Sequence, residues 1–172
     1  IQPARIEDVV RRAQEEMDET MQKAGEQATF DANVTGLNPE LIKLLGRLKF
    51  RYSYGENVLL HAVEVSLLAG MLAAEIGANV QIAKAGGLLH DIGKALTHEV
   101  EGPHAEIGGE IASRYGIHPE VHRAIMEHHD EERGSVEAFL VAAADAMSAA
   151  RPGARKESLE HYVQRLEALE GV

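Results

Sequence analysis

The chain contains no cysteine and no tryptophan, and only 4% of its 172 residues are aromatic. Without thiols there is no disulfide framework and no thiolate metal site, so any metal must be held by imidazole and oxygen donors. Basic residues are also in short supply: 17 Lys and Arg stand against 28 acids, a formal net charge of −11. A surface of that sign repels polyphosphates, so a nucleic-acid substrate would have to be gripped mainly by something other than this surface. Long apolar runs are scarce. The longest, Ala138 to Ala150, falls short of the roughly 20 residues needed to cross a bilayer and carries Asp145 in its middle. No signal-peptide pattern follows Ile1, and the chain is expected to be a piece of something longer.

What is present reads as helix almost throughout. Ile6, Val10, Ala13, Met17, Met21 and Ala24 recur at three- and four-residue steps, which predicts an amphipathic helix to about Gln27. Further helices are expected from Pro39 to Lys49, from Asn57 to Ile76 with Gly77 as its stop, and from Val80 to His90. Later ones follow at His104–Tyr115, Pro119–His129, Ser135–Ala149 and Glu157–Leu169. In the third, Val58, Ala62, Val65, Ala69, Leu72 and Ile76 form the expected buried stripe. No alternating β-branched run argues for a sheet. The fold class is therefore all-α: a single compact bundle over residues 36–172, its last elements cut short, preceded by a leading, protruding helix and connector over 1–35.

The chemistry begins at His90-Asp91, which closes the apolar run Gly87-Leu88-Leu89. Two polar groups entering the core boundary together need a partner, because burying them unpaired costs several kcal/mol. One divalent cation shared by imidazole and carboxylate supplies it; the alternative is a capping His beside a solvated Asp. Gly93 then ends the helix and lets Lys94 turn toward the same place. Asp145 is the second anomaly, because it lies within Phe139-Leu140-Val141-Ala142-Ala143-Ala144 and Ala146-Met147. A carboxylate there is either a metal ligand or the partner of Arg151 or Arg155. His61 lies close to the apolar stripe of the third helix, where it is either a satisfied core residue or a ligand. His104, and His128 with His129, would supply a second cation, with Asp91 bridging the two. Such donors suit Mn, Mg, Fe, Zn or Ni. His98, His118, His122 and His161 read as surface residues.

A His, then His-Asp, then a distant Asp, with His-x-x-x-Gly and His-His between them, resembles the HD phosphohydrolase superfamily over about Asn57 to Ala150. Gly36 to Lys49, Glu99-Val100-Glu101-Gly102 and Ala143 to Arg155 are similar to the ribonuclease Y family. That resemblance implies a metal-dependent endoribonuclease domain of mRNA decay, attacking the phosphodiester with a metal-activated hydroxide. It assigns catalytic roles to Asp91 and Lys94, and metal binding to His61, His90, Asp91, Asp145, His104 and His128. Arg151 and Arg155 are then expected to steer the RNA backbone, the alternative being structural arginines. The basic face of Lys43, Arg47, Lys49 and Arg51 is either an RNA track or an ordinary solvated surface. The implied partners are RNA, held mainly by a KH domain outside this chain, a second copy of the chain and other RNA-degradation proteins. Members of the family are anchored at the cytoplasmic face of the membrane, with no direct membrane contact expected for this part. Asn57 stands where metal-rich superfamily members place a glutamate, which argues against a third cation. Two rival functions remain: an HD phosphohydrolase acting on nucleotides or cyclic dinucleotides, and a non-enzymatic assembly module.

Overall fold

Four of the described helices start on short polar side chains. Asn38 accepts a hydrogen bond from the backbone N–H of Glu40 with Pro39 behind it, and Asn57 accepts from Leu59 and Leu60. Asn79 accepts from Gln81 and Ile82, and Ser135 from Ala138. Each satisfies backbone donors that a helix leaves open in its first turn. The computed structural model describes residues 3–152, with side chains from residue 5 onward. Arg155, His161 and the helix expected at 157–169 lie outside the described residues.

The elements run α1 (Pro3–Ala32), α2 (Pro39–Arg47), a 3-10 turn (Leu48–Phe50), β1 (Tyr52–Ser53), β2 (Glu56–Asn57), α3 (Val58–Ile76) and α4 (Val80–Leu89). A second 3-10 turn (Ile92–Ala95) leads to α5 (His104–Arg114), α6 (Pro119–Glu127) and α7 (Val136–Ala150). The architecture is the all-helical bundle expected. Its core has two parts. Leu41, Leu45, Leu48, Leu88, Leu89 and Ile92 fill the side nearer α1 and α2. Val65, Ala69, Ala83, Ala124 and Val141 fill the seam where α3, α4, α6 and α7 meet.

Three features differ from the sequence expectation. The chain does form a sheet, a two-stranded antiparallel hairpin pairing Tyr52 with Asn57 and Ser53 with Glu56. Two residues per strand are too few to produce an alternating pattern. Second, α1 runs on to Ala32, and Ala28, Ala32 and Val34 are buried in the core. Its first half carries the expected stripe, but Ile6, Val10 and Met17 are exposed, so that half projects from the bundle. Third, α3 is long and apolar enough by length and composition to cross a membrane, at 19 residues and a mean hydropathy of 1.6, where no such stretch is expected. Its buried face is instead the spine of the bundle, packed on α1, α4 and α7. Ile76, expected in that stripe, is exposed at the helix end.

The second half of α1 lies unusually close to α2. A Cβ on Gly46 would sit 1.6 Å from the carbonyl oxygen of Met21, and one on Gly25 would sit 1.9 Å from that of Ile42. The two backbones therefore touch where each helix has a glycine. Gly46→Ala is expected to destabilise the chain by about 3 kcal/mol, at the upper end of ordinary overpacking, because backbone rather than a side chain must move. Urea denaturation followed by helical circular dichroism measures it.

Candidate metal centre

One cavity of about 370 Å³ is lined by His61 of α3, Lys94 of the second 3-10 turn, His104 of α5 and Asp145 of α7, with Asp91 and His129 from the segments after α4 and α6. His61 projects from α3 and is held between two residues one turn apart on α7. Its Nε2 lies 3.0 Å from Asp145 Oδ1, and its Nδ1 lies 3.0 Å from Ser148 Oγ. A hydroxyl donates or accepts, so buried Ser148 can serve either tautomer of His61. Sequence reasoning passed over this serine, whose only signal is its position three residues after Asp145.

His90 is the C-cap of α4, and its Nδ1 donates to the carbonyl of Gly87 at 2.7 Å. That bond fixes the proton on Nδ1 and leaves Nε2 a bare acceptor. This Nε2 is buried and has no hydrogen-bond partner. It faces Asp91 Oδ2 at 3.5 Å and Asp145 Oδ1 at 4.0 Å, so three acceptors point at one another. Acceptors facing across such a gap repel unless a cation lies among them, so the donor set fits a divalent ion. His61, His90 and Asp145 bring their ligand atoms within 4.8 Å of one another.

The second group is built the same way. His128 caps the end of α6, and its Nδ1 donates to the carbonyl of Ile125 at 2.7 Å. Its Nε2 is then an acceptor 3.3 Å from His104 Nε2, which lies 3.1 Å from His129 Nε2. His104 Nε2 is also 3.3 Å from Asp91 Oδ1. Asp91 thus turns one oxygen toward each histidine group. His104 comes this close because Gly93 packs its bare Cα beneath the first turn of α5, where a Cβ would lie 1.9 Å from the His104 carbonyl oxygen.

Electrostatics follow from the same contacts. Burial alone would raise the Asp91 carboxyl, but His90, Lys94 and His104 outweigh it and hold the group well below the usual carboxylate range. Lys94 Nζ donates to Asp91 Oδ2 at 2.7 Å. Burial also acts against ionisation of Asp145, yet the hydrogen bond from His61 and the charges of His90 and His61 draw its pKa down to about 2. His104 is pushed down to about 4, first by burial, with Lys94 and His129 adding to it against the pull of Asp91. His128 falls to about 3 through burial and its neighbours His90 and His129. These two imidazoles are neutral at physiological pH, the state a metal ligand requires.

The structure brings together His61, His90, Asp91, Lys94, Asp145, His104, His128 and His129, and adds Ser148. Glu56, on β2 beside the cavity, places Oε2 3.8 Å from His61 Nδ1 and carried no signal in the sequence. Arg151 does not reach Asp145. Its guanidinium forms a two-pronged pair with Glu64 at 2.8 and 3.0 Å, and that carboxylate raises its pKa. Three of the four basic side chains expected on one face are paired: Lys43 with Asp18, Arg47 with Glu99, and Arg51 with Thr97.

The HD domain family model matches residues 58–150, more than half of the chain. The chain belongs to the HD domain family. Ribonuclease Y of Desulforudis audaxviator is 60% identical over 173 residues, covering 100% of this chain and 34% of that protein. Ribonuclease Y of Bacillus subtilis is 58% identical, covering 100% of this chain and 33% of the relative, and that of Chloroflexus aurantiacus is 61% identical, covering 100% and 34%. The chain spans about a third of the length of these curated relatives. Among solved structures, a predicted HD superfamily hydrolase from an uncultured Thermotogales bacterium superposes with a TM-score of 0.53 at 24% identity. It covers 64% of this chain and 67% of that one, and shows the shared HD fold. The two His/Asp groups of this HD domain are compatible with divalent metal binding.

The depressed histidines fix the sign of a pH effect. In the unfolded chain they take up protons near 6.5, but in the folded domain only near 4 for His104 and near 3 for His128. The unfolded state therefore binds more protons below 6.5, and stability present above that pH is lost as pH falls. Asp91 and Asp145, both held low, extend the loss below 3.8. The melting temperature of the metal-free domain is expected to drop steadily between about pH 6.5 and 4, read by circular dichroism.

Proposed function

We propose that this HD domain is the catalytic part of a metal-dependent endoribonuclease that hydrolyses phosphodiester bonds of RNA. The observation that carries the reading is Asp91, with one oxygen toward each of two histidine groups and Lys94 on its flank. The whole-chain similarity to proteins named ribonuclease Y supports RNA as the substrate. His61, His90, Asp91 and Asp145 would hold one divalent ion, and Asp91, His104, His128 and His129 a second. Such a pair supplies Lewis acidity and lowers the pKa of nearby water. The residues do the remainder. Asp91 fixes the spacing of the two groups, and His61 and His90 are oriented by Ser148 and the Gly87 carbonyl. Lys94, at the cavity wall, offsets charge that builds on the phosphoryl oxygens. Arg151, which is paired with Glu64, and Arg155, which follows it in sequence, are proposed to steer the incoming RNA backbone.

RNA holding by a KH domain, a paired second copy, degradation partners and placement at the cytoplasmic face of the membrane are inferences for the whole protein. They rest on the resemblance to the ribonuclease Y family. The net charge of −11 supports the first, because little in this chain's balance would draw RNA in. The modest cavity also admits a small nucleotide, which makes nucleotide hydrolysis the second reading.

Equilibration with manganese followed by elemental analysis is expected to find two ions per chain. Gly93→Ala, which drives α5 and His104 away from Asp91, lowers that number toward one. The manganese-loaded chain is expected to cut a short single-stranded oligoribonucleotide and to leave free nucleotides and cyclic dinucleotides intact. Asp91→Ala abolishes cutting with the helical spectrum retained, and Lys94→Met lowers kcat by about 10²- to 10³-fold, in line with loss of one preorganised stabilising group. Because water rather than the 2′-hydroxyl is the proposed nucleophile, 2′-O-methylation at the cleaved linkage leaves cutting in place. No 2′,3′-cyclic phosphate forms. Selective hydrolysis of the small nucleotides would replace the first reading with the second.

A further inference from the structure

The chain has seven aromatic residues, three Phe and four Tyr. Phe50, Tyr52 and Tyr54 fall within one five-residue segment, and all are exposed, at 45%, 70% and 75%. A protein so poor in aromatics has left these rings out of its core.

Tyr54 also breaks the local rule of the turn it occupies. The loop between Ser53 and Glu56 has two residues, Tyr54 at φ 50° and Gly55 at φ 85°. Hairpins of this kind need both central residues left-handed, and Asn, Asp or Gly takes the first position at little cost. A bulky ring there is strained, and such strain persists where it serves a function. Three quarters of the residue is in solvent.

The position of the ring suggests what it serves. Tyr54, with Ser53 and Glu56, lines the cavity that holds His61, Asp91 and Lys94, whereas Tyr52 and Asn57 on the same hairpin line a separate groove against α1 and α3. The base of the hairpin is closed where Asn57 Nδ2 donates to the Lys49 carbonyl at 2.7 Å and Val58 N–H to the Arg51 carbonyl at 3.0 Å, and its contact with the site is Glu56, whose Oε2 lies 3.8 Å from His61 Nδ1. The imidazole, carboxylate and ammonium groups of the cavity suit a phosphate and its metal ions. They offer little to a nucleobase. An exposed ring at the mouth supplies the missing surface, because every base has a π-face that stacks on an aromatic side chain regardless of sequence.

We propose that Tyr54 is a stacking platform for an unpaired nucleobase adjacent to the phosphodiester in the metal cavity. The proposal rests on the RNA reading above and adds a subsite to it. A base already paired and stacked in a helix cannot reach the ring without being unstacked.

The test uses the magnesium-loaded chain and a set of short oligoribonucleotides carrying 2-aminopurine at each position in turn, read by fluorescence before cleavage proceeds. Tyr54→Asn keeps the left-handed turn and removes the ring, Tyr54→Phe keeps the ring, and Tyr52→Thr removes a ring from the neighbouring groove. One position is expected to be quenched by the parent chain, by Tyr54→Phe and by Tyr52→Thr, but not by Tyr54→Asn. Affinity for the oligonucleotide falls about 5- to 150-fold in Tyr54→Asn, the range of one lost base–aromatic stack. An abasic nucleotide at the quenched position removes that difference. Quenching that is absent, or that survives in Tyr54→Asn, overturns the proposal, as does an equal loss of affinity on the abasic strand. Cleavage without Tyr54-dependent quenching sinks the platform and leaves the nuclease reading standing; Tyr54-dependent quenching without cleavage does the reverse.

Discussion

Asp91 is 2% exposed, and its two carboxylate oxygens face different histidine groups. A buried carboxylate is tolerable only with compensating charge and hydrogen bonds around it. Much of the bundle is arranged to bring that compensation to one point. α4 ends at His90, the following 3-10 turn bends Lys94 back, and α5 begins with His104 against Gly93. Asp91 itself sits at φ −98° and ψ 10°, between helical geometries, so the chain changes direction at the residue the site depends on.

The two histidine groups share one local device. His90 and His128 each follow the last residue of a helix and donate Nδ1–H to a carbonyl three residues back, Gly87 and Ile125. Those carbonyls belong to the last turn, where helices leave acceptors unsatisfied. A histidine at the C-cap therefore caps the helix and has its tautomer fixed by the same bond, with Nε2 aimed outward. Ring orientation, which outer-shell partners ordinarily supply at metal sites, comes here from the helix ends themselves.

This explains which parts of the site were legible in the sequence. His90-Asp91 and Asp145 stood out because ionisable groups interrupt apolar runs, and a folded chain must account for them. His104 and His128 were recoverable from their places at helix ends. His61 sits among apolar residues on α3 and was readable only through its order relative to the others. Ser148 had only its place three residues after Asp145 to mark it and Glu56 had nothing, since a serine late in an alanine-rich helix and a glutamate in an acidic chain are unremarkable until the fold sets them beside His61. Arg151 was read toward the site because it follows Asp145, yet Glu64, 87 residues away in sequence, takes it. Periodicity identified α1 as amphipathic but could not say that one half of its stripe is buried and the other bare. The hairpin escaped because its strands are two residues long and its turn carries a tyrosine where asparagine or glycine would have announced it.

The seam at Gly25 and Gly46 has a mechanical consequence. A 30-residue helix is about 45 Å long and stiff. Its second half is clamped to α2 backbone against backbone, and Ala28 and Ala32 lie in the same core cluster as Leu59 of α3. The projecting half is thus a lever whose fulcrum lies inside the bundle. A sideways load on residues 5–19 has no flexible joint in which to dissipate and arrives as torque on α2 and on the N-terminal turn of α3. His61 stands in that turn, so the projecting half of α1 is linked to one of the site histidines through packed helices.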